Sequence, residues 1–107
     1  MNPDRVKQLE KFLQEDPSDA FSKYALALEY LHSNKLKTEE LFDNLLKNHP
    51  EYIGTYYHAA ALHSELGNLE KAESIYIQGI EKAKELKEAH ALRELQTAYT
   101  NFQFEND

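Results

Sequence analysis

The sequence contains no cysteine and little positive charge. The missing thiols exclude disulfides, thiolate metal sites and cysteine nucleophiles. Lysine and arginine total 12 against 19 aspartates and glutamates, which gives a formal net charge of −7. Binding to a nucleic-acid backbone or to an anionic membrane surface depends on clustered cations. We therefore expect neither nucleic acid nor membrane among the partners of this chain.

Long apolar runs are also missing. No run approaches the about 20 apolar residues that a membrane-spanning helix needs, and the stretch Met1–Leu9 lacks the apolar core of a signal peptide. Apolar residues make up 41% and charged residues 29% of the 107 positions, a balance typical of one globular domain. We expect a single domain over residues 1–107 and a cytoplasmic location.

Glycine and proline are scarce, with three of each, and the alternation typical of strands is absent. Apolar residues recur instead at spacings of three and four, which predicts amphipathic helices. Asn2-Pro3 predicts the start of a first helix, and Asp16-Pro17 predicts its end. Ser18 is the predicted cap of a second helix, and Gly67 is the predicted stop of a fourth. Six helices and an all-α fold follow from this punctuation.

The sequence repeats itself at an offset of 33 to 34 residues. An offset of 33 pairs Tyr24 with Tyr57 and Ala27 with Ala60, whereas beyond Leu36 the better offset is 34. The first copy is therefore predicted to lack one residue just after Leu36. The resulting units are an N-terminal half-repeat helix (3–16), repeat 1 (18–49), repeat 2 (51–84) and a capping helix (86–103). Such periods are typical of solenoids built from helical hairpins.

The repeat resembles the tetratricopeptide repeat (TPR) family. The second copy carries the family pattern at Tyr56, Ala59, Ala60, Gly67, Leu69, Ala72, Tyr76 and Gly79. The first copy carries it at Leu26, Ala27, Tyr30, Asn34, Leu36, Thr38, Phe42, Leu45 and Pro50. The chain departs from the pattern at Lys23, where an aromatic is expected, and at Lys84, where a proline is expected. The missing proline predicts a long fifth helix. The resemblance implies an α-solenoid similar to small stand-alone bacterial TPR proteins.

The resemblance also implies where a partner binds, because the first helix of each hairpin lines the concave face of such arrays. The partner-binding residues expected there are Phe21, Tyr24, Leu28, Leu31, Tyr57, His58 and Ala61. Their chemistry suits an apolar or aromatic peptide or helix of another protein. In the alternative interpretation, the chain is a self-associating structural or accessory subunit. Its groove is then filled by its own C-terminal helix (Leu92, Leu95, Tyr99, Phe102) or by a second copy in a homodimer.

Other chemistries find less support in the sequence. Chaperone-binding family members hold a C-terminal carboxylate with cationic side chains. Tyr24, Leu28 and His58 occupy the corresponding positions here, so we expect no carboxylate clamp of this type. His58 and His63 are five apart and so on different helix faces, which argues against a metal site. His63 is instead expected to pack inside the fold. No glycine-rich phosphate loop or nucleophile elbow occurs. We therefore expect no catalytic residues, no metal, no cofactor and no enzymatic activity.

Overall fold

Helices account for the secondary structure of the protein. A computed structural model describes all 107 residues and contains six α-helices and no strands. The helices are α1 (Pro3–Glu15), α2 (Ala20–Tyr30), α3 (Lys35–Asn48), α4 (Gly54–Glu65), α5 (Leu69–Glu85) and α6 (Ala89–Glu105). The predicted all-α fold of helical hairpins is confirmed. None of the helices is both long and apolar enough to cross a membrane.

The chain forms two compact units. The N-terminal unit is Met1–Tyr52, with helices α1 to α3, and the C-terminal unit is Ile53–Asp107, with helices α4 to α6. The single domain expected over 1–107, with its internal repeat boundaries, stays a prediction.

One hydrophobic cluster of the N-terminal unit joins α1 to α2. Val6 and Leu9 of α1 are buried with Ala25 and Leu26 of α2, and Leu13, Tyr30 and Leu41 pack around them. These positions recur at helical spacing, so each helix buries one apolar stripe. The predicted cap at Asn2 is confirmed, because its side-chain oxygen accepts hydrogen bonds from the backbone amides of Asp4 and Arg5, both at 3.1 Å.

The predicted cap of α2 is wrong by one residue. Asp19, not Ser18, caps the helix, since its carboxylate accepts the backbone N–H of Ser22 at 3.2 Å and the Ser22 hydroxyl at 2.7 Å. Ser18 instead donates its amide and its hydroxyl to Asp16, at 3.0 and 2.7 Å. These two hydrogen bonds lower the pKa of Asp16. Asp19 has two acceptor oxygens and satisfies two donors at once, which a serine cannot do as well.

The residue that the first repeat lacks relative to the second lies elsewhere than expected. The caps of α3 and α5 are Asn34 and Asn68, which are 34 positions apart (68 − 34). The larger offset therefore already applies at Asn34, so the deletion lies before Asn34 rather than after Leu36. The turn between α2 and α3 closes with hydrogen bonds from the backbone amides of Ser33 and Asn34 to the carbonyl of Tyr30 and has no residue at positive φ. It therefore needs no counterpart of Gly67.

The C-terminal unit is packed around α5. The buried residues are Thr55, Tyr56, Ala59, Ala60, Leu62 and His63 of α4, Ala72, Ile75, Tyr76, Gly79 and Ala83 of α5, and Leu95 and Phe102 of α6. His63 has the expected packing position. The predicted long fifth helix is confirmed, because α5 has 17 residues and α3 has 14.

Candidate functional site

Four of the predicted binding residues belong to the N-terminal unit. Phe21, Tyr24 and Leu28 lie on α2, and Leu31 is its C-terminal cap. Phe21 is 56% exposed, whereas the other three are partly buried. The ring of Tyr24 packs against that of Tyr52 with 5.4 Å between centroids. Phe21 is thus the member of this group with the most surface open to a partner.

The other three predicted residues, Tyr57, His58 and Ala61, belong to α4 in the C-terminal unit. Tyr57 and Ala61 are exposed, and the rings of Tyr57 and His58 lie at 77° to each other in a T-shaped arrangement with 5.4 Å between centroids. Burial lowers the pKa of His58, and the negative charge of Glu94 partly opposes this shift. Neutral imidazole is therefore favoured at this position.

A groove runs between α4 and α6 and contains two adjoining cavities. Cavity 1, of about 370 Å³, is lined by Tyr57, His90, Arg93, Glu94, Thr97, Ala98 and Asn101. Cavity 2, of about 360 Å³, is lined by Tyr57, Ala61, Ser64, Glu65, Tyr76, Ala98, Asn101, Phe102 and Glu105. Tyr57, Ala98 and Asn101 line both, so the two cavities form one feature, which we call the α4–α6 groove. It contains Tyr57 and Ala61 of the predicted site.

Two aromatic side chains of α6, Tyr99 and Phe102, pack against α5. The ring of Tyr76 on α5 lies 5.8 Å from that of Tyr99 and 5.5 Å from that of Phe102. The hydroxyl of Tyr99 donates to the carboxylate of Glu73 at 3.1 Å. On the side of α6 toward α4, the small side chain of Ala98 lines both cavities together with Tyr57.

The side chains of the groove can supply apolar contact, an aromatic ring and hydrogen bonds. Tyr57 is 43% exposed and offers its ring to both cavities. Thr97 and Asn101 add hydrogen-bond donors and acceptors. In cavity 1, the Nε2 atom of His90 lies 3.1 Å from a carboxylate oxygen of Glu94. Such a mixed lining is suited to binding a segment of polypeptide.

Sequence reasoning missed the α6 side of the groove. The sequence predicts α6 as a capping helix with an apolar stripe of Leu92, Leu95, Tyr99 and Phe102. The missed residues are His90, Arg93, Glu94, Thr97, Ala98, Asn101 and Glu105. They recur at spacings of one, three and four and so share one helix face. The sequence shows this periodicity. It does not show whether a mostly polar helix face lines a groove or faces open solvent.

Comparisons with known proteins define the family. No family model and no curated protein sequence matches the chain. A crystal structure of a tetratricopeptide repeat domain protein from Salinibacter ruber has 41% identity and a TM-score of 0.76, over 79% of this chain and 96% of that one. A solution NMR structure of a tetratricopeptide repeat domain protein from the same organism has 42% identity and a TM-score of 0.76, over 81% and 89%. The chain belongs to the tetratricopeptide repeat family.

Proposed function

We propose that this protein is a non-catalytic interaction module that binds an apolar or aromatic peptide or helix of another protein in the α4–α6 groove. Tetratricopeptide repeat domains are in general protein-interaction modules without catalytic activity, and membership of the family supports this class of function. Phe21, Tyr24, Leu28 and Leu31 of α2 are proposed as further contacts.

The observation that carries the proposal is the position of Tyr57. This side chain is 43% exposed, although it is a large aromatic, and it lines both cavities of the groove. Exposed tyrosines in concave surfaces are frequent anchors of interfaces, because they bury a large area and lose little conformational entropy. Ala61 and Ala98 beside it leave the ring accessible to an incoming side chain.

A selection from a random peptide library, displayed on phage, tests the proposal directly. Three forms of the full chain are compared: wild type, Tyr57→Ala and Ile77→Ala. Ile77 is a matched control, because it is 42% exposed and lies on α5 outside both cavities. We expect wild type to select peptides rich in leucine and aromatics.

The affinity of the selected peptides, measured by fluorescence anisotropy, should fall about 30-fold in Tyr57→Ala, the loss typical of an interface anchor. It should change less than about twofold in Ile77→Ala. Equal affinities for wild type and Tyr57→Ala would overturn the groove as the binding site.

Light scattering on a dilution series addresses the alternative of self-association. A dimer that dissociates on dilution, and that Tyr57→Ala abolishes while Ile77→Ala does not, would assign the groove to a second copy of the chain. If all three forms have the mass of a monomer at every concentration, self-association is excluded and the proposal that the groove binds another protein stands.

A further inference from the structure

The charged residues that line cavity 2 are all negative, whereas those of cavity 1 have both signs. This difference indicates the chemistry of the bound segment. We infer that cavity 2 receives a lysine or arginine side chain of the partner, next to the apolar or aromatic residues that occupy the rest of the groove. This inference rests on the proposed function and specifies the partner more narrowly.

The lining of cavity 2 carries negative charge only. Its charged residues are the carboxylates of Glu65 and Glu105, and no lysine or arginine lines it. Cavity 1 differs, because the positive charge of Arg93 there accompanies the negative charge of Glu94. An arriving cation therefore finds complementary charge at one end of the groove and a balanced lining at the other.

The ends of two helices add to this negative potential. Glu65 and Glu105 are the last residues of α4 and α6, so both helices present their C-terminal ends at cavity 2. The carbonyl groups of a C-terminal end carry partial negative charge, which lysine or arginine in the last turn commonly offsets. Helix α5 has Lys82 and Lys84 in its last turn, whereas α6 has no basic residue there. A cation from the partner would supply what α6 lacks.

The walls of cavity 2 suit the stem of a long cationic side chain. Tyr57 and Phe102 supply apolar and aromatic surface, and Ala61 and Ala98 leave space beside them. Lysine and arginine bury their methylene groups against such surfaces and keep the charged end at polar groups, and a cation near an aromatic face gains further stabilisation. Burial raises the pKa of Tyr76 in the same wall, and Tyr57 and the negative charge of Glu105 raise it further.

The test uses the full chain with two double variants of equal charge change. Glu65→Gln with Glu105→Gln removes two carboxylates from cavity 2, and Glu70→Gln with Glu81→Gln removes two from α5 outside the groove. Circular dichroism melting verifies that both variants fold. Peptides selected on wild type should be enriched in lysine or arginine relative to the library.

Binding of the selected peptides, measured by anisotropy, should weaken about tenfold in the cavity 2 variant and less than about twofold in the α5 variant. Replacing the peptide's cation with glutamine should cause a similar tenfold loss on wild type and little further loss on the cavity 2 variant. That non-additivity identifies a direct pair.

The outcomes separate the two proposals. Peptides that depend on Tyr57 but show no enrichment in lysine or arginine, or that bind both double variants equally, overturn the inference and leave the proposed function standing. Equal losses in the two double variants indicate an effect of net charge alone and also overturn it. If no selected peptide depends on Tyr57, both proposals fail.

Discussion

The two hairpins of the C-terminal unit turn in the same way with different residues. After α4, Gly67 has a φ of 84°, its N–H donates to the carbonyl of Ser64, and the N–H of Asn68 donates to that of His63. After α5, Lys87 has a φ of 58° and repeats this pattern of hydrogen bonds with its neighbours. Each helix thus ends in a Schellman motif. The same backbone geometry forms with or without glycine, but only glycine adopts it without strain.

The packing of the two hairpins also differs. The α4–α5 pair approaches through small residues, since a Cβ atom built at Gly79 would lie 2.7 Å from the Cβ of Tyr56. The α5–α6 pair meets through the aromatic rings of Tyr76, Tyr99 and Phe102. Close backbone approach thus stabilises one hairpin, and large side chains stabilise the other.

The largest effect is expected from Phe102→Ala, which removes a buried ring from the α5–α6 hairpin. Deleting a buried phenylalanine costs about 3–5 kcal/mol of unfolding free energy, because a cavity replaces its contacts. Urea denaturation followed by far-UV circular dichroism measures the loss. Phe104→Ala is the control, because Phe104 is 79% exposed on the same helix. Equal effects of the two variants would contradict the aromatic packing of this hairpin.

Gly79→Val tests the close approach of the other hairpin. Its side chain would meet Tyr56 near the backbone and Leu95 at 3.2 Å, so the helices must separate. We expect a loss of about 2–3 kcal/mol from overpacking, measured by the same denaturation. The control, Gln78→Val, changes an exposed neighbour and should cost less than about 1 kcal/mol. A Gly79→Val variant as stable as Gln78→Val would show that the helices have room to spare.

The two turns should respond to substitution with opposite signs. Gly67→Ala should destabilise the protein by about 1 kcal/mol, because the left-handed conformation strains any residue with a Cβ atom. Steric overlap adds nothing, since a Cβ atom there would have no atom within 4 Å beyond its two chain neighbours. Lys87→Gly relieves the same strain and should stabilise by about 1 kcal/mol. Thermal melting of both variants measures the shifts. Shifts of the same sign would contradict the equivalence of the two turns.

The smallest effect concerns the hydrogen bond from Tyr99 to Glu73. Desolvation, this hydrogen bond and the charge of Glu73 raise the pKa of Tyr99 above its ordinary value of 10.0. The folded state therefore favours the neutral phenol of Tyr99. The stabilisation that results is complete below pH 10 and is lost as the pH rises through the pKa that Tyr99 has in the folded protein. Tyr99→Phe should cost only tenths of a kcal/mol at neutral pH, because the contact is exposed.

Above pH 10, the melting temperature of wild type should fall more steeply than that of Tyr99→Phe. The variant retains the raised pKa of Tyr76, so its own melting temperature should still decline. Parallel declines in the two proteins would show that Tyr99 makes no contribution to the pH dependence.

Most of the fold was predictable because its signals are local. Helical spacing, the cap at Asn2 and the stop at Gly67 each depend on a few neighbouring residues. The errors fall where two local solutions compete. Both Ser18 and Asp19 are residues that can cap α2. Asp19 does so in the structure, because its two carboxylate oxygens accept two hydrogen bonds from Ser22. The left-handed backbone at Lys87 had no signal, since a lysine there is indistinguishable from any other exposed lysine.

The candidate site was predictable only on its α4 side. Tyr57 can be recognised from the sequence, because the repeat pattern places it on the concave face of its helix, where solvent exposure alone would not favour a large aromatic side chain. Its counterparts on α6, among them Arg93 and Asn101, have ordinary surface chemistry. Their place in a groove depends on how α6 packs against α5, and that packing depends on contacts between residues distant in sequence.

The most direct test of the α4–α6 groove is amide chemical-shift mapping of the isotope-labelled full chain with a selected peptide. We expect the largest changes to cluster at Tyr57, Ala98 and Asn101, the residues common to both cavities, and the amide of Ile77 to stay unchanged. Changes that centre on the exposed face of α5 around Ile77, with Tyr57 and Asn101 unaffected, would contradict the groove as the binding site.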